Sequence, residues 1–259
     1  MEGCINNRAV LKRRRLLRSI RDAVWTLLYG LQIITAMGLE KMKQKKKYRS
    51  VIGNILIVMG LLLFAAALTL VIYNVWDGKR AEHASAAIVE KLEEVIPDDI
   101  ETPEEVIVPE GLEPEIDPTM PTEMIDGYAY IGTLKIPSLG LNLPVMADCD
   151  YTRLKISPCV FSGSYKTNDL VICAHNYARH FSPVKWIDLG SDVYLTTVDG
   201  VMYSYKVSNI ETVQPMAVDQ MIKNSHNDKN VSNDWDMTLF TCNTGGQTRC
   251  AVRCIRMDK

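Results

Sequence analysis

The sequence predicts a mostly-β fold, a closed β-barrel of about eight strands with short helices, preceded by one N-terminal transmembrane helix and an acidic, proline-rich linker. Three observations lead there. Residues 127–259 hold a series of short runs rich in β-branched and aromatic residues, separated by turn signals. Residues 51–73 form an uncharged apolar run. Residues 97–126 carry six prolines and eleven acidic side chains without a single Lys or Arg. The 259 residues then divide into a basic segment over 1–50, a signal anchor over 51–75, a juxtamembrane helix and linker over 76–126, and a folded domain over 127–259.

The anchor reads "VIGNILIVMGLLLFAAALTLVIY", with Asn54 as its one strongly polar side chain. At ~1.5 Å per helical residue it spans about 35 Å, enough for the hydrocarbon core of a bilayer. Lys45, Lys46, Lys47 and Arg49 flank its N-terminal side, so that side is expected in the cytoplasm and everything after Trp76 outside, as a single-pass membrane protein. A cleaved signal peptide is disfavoured, because the apolar run is too long and no A-x-A site ends it. The basic block (Lys12, Arg13, Arg14 and Arg15 included) reads as a membrane flank, and no nucleic-acid partner is expected. Residues 23–39 are a second uncharged stretch with basic flanks on both sides, a topological conflict if it also spanned. Either it lies along the membrane surface or translation starts later, at Met42 or Met37, where "MKQKKKYRSVIGNILIV" reads as a complete beginning.

Ile88, Val89, Leu92 and Val95 recur at helical spacing, which predicts a juxtamembrane helix over 77–95. In the linker, spaced prolines forbid helix and like charges repel, so the sequence predicts an extended spacer that lifts the domain off the membrane. From Gly127 the texture changes. "YAYIGTLKI" (128–136) alternates, "PSLG" (137–140) reads as a turn, and 141–146 as a second strand. Residues 170–174 are a short apolar run suited to a buried strand, and 181–189 suit a short helix. Strands over 192–198 and 201–211 flank "DG", a hairpin signal, and 237–241 and 249–255 are joined by "NTGGQ". About eight strands with little helix favour closure into a barrel.

Cys4 falls on the cytoplasmic side; Cys149, Cys159, Cys173, Cys242, Cys250 and Cys254 fall outside. Cys250 and Cys254 lie four apart in one strand, ~13 Å along it, too far for a disulfide. No C-x-x-C is present. Cys173 and Cys250 sit among apolar neighbours and read as core. His83 falls in the juxtamembrane helix, and His180 and His226 fall in polar surroundings. Cys242 and His175 differ, since each stands where a buried strand ends and a polar loop begins, the place where a scaffold presents reactive groups on a rigid base. A thiol and an imidazole so placed suggest a nucleophile with a proton-transfer partner. Arg249 opens the next strand after a short connection and can reach the same end, where a guanidinium would hydrogen-bond an oxyanion. Arg253 is its rival.

These residues carry a resemblance. "TLFTC" (238–242) resembles the T-L-x-T-C signature of the sortases, cysteine transpeptidases of Gram-positive bacteria. "VICAHNY" (171–177) resembles their histidine motif, with Ala174 where glycine is usual, and "QTRCAVRC" resembles the strand that opens with their arginine. "YIGTLKIPSLGLNLPV" and "HFSPVKWIDLGSDVYLT" extend the likeness to about residues 128–257. The resemblance implies a sortase-like barrel with catalytic His175, Cys242 and Arg249, acting on surface proteins that bear a Leu-Pro-x-Thr-Gly type sorting signal. The acceptor would be an amine of a peptidoglycan precursor or a pilin. Thr241, Asn176, Val213 and Met216 are the expected substrate contacts, the last two in a groove wall over 212–235 that includes a short helix in "MAVDQMIKN". No cofactor and no metal is called for. The absence of an apolar segment after Ile255 points to a class D-like or class B-like member. Two other readings stay open: a cysteine peptidase acting mainly by hydrolysis, and a non-catalytic anchored barrel that binds wall or partner proteins, in which Cys242 would be buried and inert.

Overall fold

The computed structural model of the chain describes residues 24–33, 49–103 and 116–258. It falls into two compact units, Met1–Val71 and Ile72–Lys259. The N-terminal unit contains a short apolar helix α1 (Val24–Ile33) and the first part of helix α2 (Arg49–Val95). The apolar window of α2 has mean hydropathy 3.0 and no burial, so the helix is long and apolar enough to cross a membrane. The basic segments around α1, the expected start at Met42, Cys4 and the middle of the linker lie outside the described residues.

The C-terminal unit is built on one sheet. Its strands are β1 (Glu123–Ile125), β2 (Tyr128–Ile136), β3 (Leu141–Met146), β4 (Cys159–Ser162), β5 (Leu170–Cys173), β6 (Asp192–Thr197), β7 (Met202–Val213), β8 (Met237–Cys242) and β9 (Arg249–Arg256). The order is β1-β2-β3-β4-β5-β8-β9-β7-β6, and a further pairing of β2 with β6 closes the last eight into a barrel. Closure has a local cause at Gly132. Its φ is 148°, and a Cβ there would stand 2.0 Å from the Thr196 carbonyl oxygen across the seam, so only glycine permits this approach. Leu134 and Ile136, alternate residues of β2, point inward to meet Leu143, Val145, Leu195, Leu239 and Val252 in one core.

The strands foreseen in the sequence are present, with two additions. β1 emerges at the end of the acidic linker and pairs Met124 with Ala129. β4 is four residues long, follows Pro158 and is broken by an irregularity between Val160 and Ser162, so it offers no readable alternation. Residues 181–189 form a 3₁₀ turn (Ser182–Trp186), not an α-helix, and α3 is Val218–Ile222.

The juxtamembrane part of α2 is folded onto the barrel. Ala81, Ile88, Val89 and Leu92 are buried, and Ile88 and Leu92 pack with Tyr130, Met146, Cys159 and Cys173. Lys91 pairs with Asp126, Glu82 with Arg179, and Ser85 donates to the Ile156 carbonyl at 2.6 Å. The acidic linker begins on the barrel too, where the Glu101 carbonyl accepts from Met202 N–H and the Glu101 N–H donates to the Gly200 carbonyl in the β6–β7 turn, and it ends there in β1. Both described ends of the expected spacer are therefore held on the C-terminal unit.

Candidate active site

Three neighbouring strands bring the candidate residues to one end of the barrel. β5 and β8 run parallel, with Cys173 paired to Phe240, and Ala174 continues the pairing by donating to the Phe240 carbonyl at 3.2 Å. His175 follows, one step beyond. β8 and β9 are antiparallel, and their last pair is Cys242 with Arg249. The intervening turn is closed by Asn243 N–H to the Thr248 carbonyl at 2.9 Å and by Gly246 N–H to the Asn243 carbonyl at 2.8 Å. Gly245 and Gly246 have φ of 85° and 72°, left-handed values that let six residues reverse the chain and return Arg249 beside Cys242.

Cys242 is half-buried, whereas Cys250 and Cys254 lie in the core. Burial pushes the Cys250 thiol up and the Cys254 thiol up to about 12, so neither is ionised near neutrality. Arg249 is half-buried and its Nη1 donates to the carbonyls of Gly246 and Thr248 at 2.8 and 3.2 Å. Its rival is committed elsewhere. Arg253 is 3% exposed, lies 5.0 Å over the Trp235 ring, and donates to Glu211, Thr238 and the carbonyls of Met221 and Gln220. That leaves Arg249 as the guanidinium at the strand end.

His175 stands between two tyrosines that the sequence did not single out. Tyr151 meets its ring edge-on at 5.4 Å and Tyr177 lies against it at 5.0 Å. Tyr177 in turn donates to Asp77 of α2 at 2.5 Å. The Nε2 of His175 is buried without a hydrogen-bond partner. Burial holds its imidazole below the ordinary value and Lys155 adds to this, while Asp77 and Cys149 oppose it. The signal for Tyr177 was its place two residues after His175; Tyr151 and Asp77 come from distant segments and left none.

Two of the four expected substrate contacts are buried. Val213 is 2% exposed, because β7 runs two residues past its expected end and packs this side chain with Val171, Met221, Trp235 and Ala251. Thr241 is 1% exposed and its hydroxyl donates to the Ala174 carbonyl at 2.9 Å, so it ties β8 to the segment that follows β5. Asn176 is half-buried and accepts from Lys185 at 2.5 Å; Met216 is 90% exposed. His180 is not in polar surroundings but fully buried, 3.1 Å from Ser85 Oγ, and burial lowers its pKa to about 4.

A closed barrel with a half-exposed thiol at a strand exit, and an imidazole and a guanidinium on the adjoining strands, is the framework of a thiol enzyme. Comparison with known proteins gives the family: residues 134–256 match the family model described as sortase domain. The barrel is a sortase domain. No curated protein matches the chain. Among solved structures it is similar to sortase C from Clostridium perfringens SM101, at 26% identity over 50% of this chain and 71% of that one, with a TM-score of 0.40. It is also similar to sortase A from Corynebacterium diphtheriae, at 22% identity over 51% and 62% with a TM-score of 0.44; the match thus spans less than two thirds of that protein. A third is the Clostridium perfringens sortase C structure with the C-terminal cell wall sorting motif, at 26% identity over 50% and 71% with a TM-score of 0.42.

Proposed function

We propose that the chain is a membrane-anchored cysteine transpeptidase of LPxTG-type sorting signals, with Cys242 as nucleophile, His175 as proton-transfer group and Arg249 as oxyanion donor. The Cys242 thiolate attacks the Thr–Gly carbonyl of the signal, and Arg249 turns from its loop carbonyls to steady the developing oxyanion. The C–N bond breaks, the imidazolium of His175 protonates the leaving amine, and a thioacyl enzyme remains. An amine from a cell-wall precursor or a pilin then attacks the thioester and gives up a proton to His175, releasing Cys242. The apolar helix α2 would hold the enzyme at the cell membrane with its barrel outside.

The observation that carries this reading is the register that pairs Cys242 with Arg249 and runs β8 parallel to β5, the strand that leads to His175. Half-exposure of Cys242 also speaks against an inert binding barrel. The test is cleavage of a panel of sorting peptides by the full chain in detergent, with and without an added amine, followed by mass spectrometry. Transfer requires an amide-linked product in the amine arm; hydrolysis products in both arms would make it a peptidase. Full cleavage by Cys242→Ala would end the assignment.

A further inference from the structure

The reaction above leaves Cys149, Cys159 and Cys173 without a task, yet the fold gathers them. Cys159 and Cys173 are register partners on β4 and β5. Cys149, on the loop after β3, places its sulfur 3.0 Å from that of Cys173. These residues are 24 apart in the chain, and the contact arises only because the loop folds back across the end of β5. The loop is fixed in place, since Asp150 Oδ1 accepts from the N–H groups of Thr152 and Arg153, both at 2.7 Å, and opens a 3₁₀ turn (Arg153–Lys155).

The two sulfurs are unequal. Cys149 is exposed and Cys173 buried. Thiols of Cys159 and Cys173 that donate to the Cys149 sulfur stabilise its thiolate, pulling it well below the usual range, while both buried thiols are pushed up. An exposed, readily ionised thiol within van der Waals contact of a buried thiol is the arrangement of an attacking and a resolving cysteine, and a disulfide of about 2.05 Å needs the sulfurs to close by roughly 1 Å.

We propose that Cys149 and Cys173 are a redox-active pair that closes to a disulfide on exposure to a small-molecule disulfide of the glutathione class. The Cys149 thiolate attacks one sulfur of the small disulfide; that S–S bond breaks, a mixed disulfide forms on Cys149, and one small thiolate leaves and takes the proton of Cys173. The Cys173 thiolate then attacks the Cys149 sulfur and expels the second small thiolate. Two electrons pass from the pair to the oxidant, and excess small thiol reverses both steps. The bond would fasten the loop that presents Tyr151 to His175, two residues from each ring, so the redox state of the pair sets how firmly that wall of the site is held.

The pair is tested on the full chain in detergent micelles, incubated with glutathione disulfide, quenched with iodoacetamide and digested with trypsin. Cys149, Cys159 and Cys173 then fall in separate peptides, 136–153, 156–166 and 167–179. The expected product joins 136–153 to 167–179, lighter than their sum by two hydrogens, and replaces the two alkylated peptides; dithiothreitol restores them. Cys173→Ser should instead trap a glutathione adduct on Cys149. Alkylation of both cysteines at saturating oxidant, a lasting adduct on Cys149 in the unmutated chain, or a link to 156–166 would each overturn the proposal. None of these readouts depends on peptide cleavage.

Discussion

The rim of the barrel and the buried parts of the domain carry the same three residue types and use them in opposite ways. At the rim, Cys242, Arg249 and His175 stand at or just past the ends of β8, β9 and β5, half-buried, with the Nε2 of His175 unpartnered. A few residues along, Cys254 is in the core, Arg253 is bound by four acceptor groups, and His180 is sealed against Ser85. The difference lies in what surrounds each group, not in the side chains. Where the strands leave the barrel, Cys242 and Arg249 keep partial exposure, whereas a fully buried donor left unsatisfied carries an unrecovered desolvation penalty.

The contrast is sharpest at the cysteines. Cys242→Ala should lower peptide cleavage by more than about 10³-fold while changing unfolding free energy by less than about 0.5 kcal/mol. Cys254→Ala should leave turnover per folded molecule intact and cost about 1–2 kcal/mol in urea unfolding. The arginines follow. Arg249→Ala should lower kcat by about 10²-fold with little loss of stability, whereas Arg253→Ala should cost about 3 kcal/mol, because Glu211, Thr238 and two carbonyls lose their donor. Equal loss of activity in both arginine variants, after correction for folded fraction, would break the comparison.

The histidines give the smaller effects. His180 has a folded pKa of about 4 against an ordinary 6.5. A group whose folded pKa is depressed contributes fully above the unfolded value, so this contribution is present above pH 6.5 and lost as pH falls towards 4. It amounts to up to about 3 kcal/mol, and the pH slope of stability in that window should flatten in His180→Phe. At the rim, the positive charge of Lys155 helps keep His175 neutral. Lys155→Met should therefore raise the His175 midpoint, and Asp77→Asn should lower it, both read by NMR titration of the imidazole.

Much of the barrel was legible because period-two alternation and turn residues mark its strands. β2 and β3 have the bounds their alternation suggests, and the "DG" turn joins β6 to β7. β1 was hidden by the acidic, proline-rich composition around it, and β4 by its brevity and irregularity. Cys242 and His175 were legible as strand-exit residues beside a family motif. The burial of Val213 and Thr241 was not legible, because the face a strand residue takes depends on its register with its neighbours, and composition does not fix that. The helical spacing of Ile88, Val89 and Leu92 announced an apolar face but not its partner. Cys149 and Cys173 meet through tertiary folding alone, so their spacing said nothing.

The parallel pairing of β5 with β8 also has a kinetic meaning. Leu170 joins Met237 across 67 residues of chain, and the β2–β6 seam joins Gly132 to Thr197 across 65. Such distant pairings carry a loop-closure cost that is met late and make folding slow. Thiol and imidazole come together only through the first of them. Before the barrel assembles, Cys242 and His175 therefore lie on unconnected segments, and their shared place at one end of the sheet is a late product of folding.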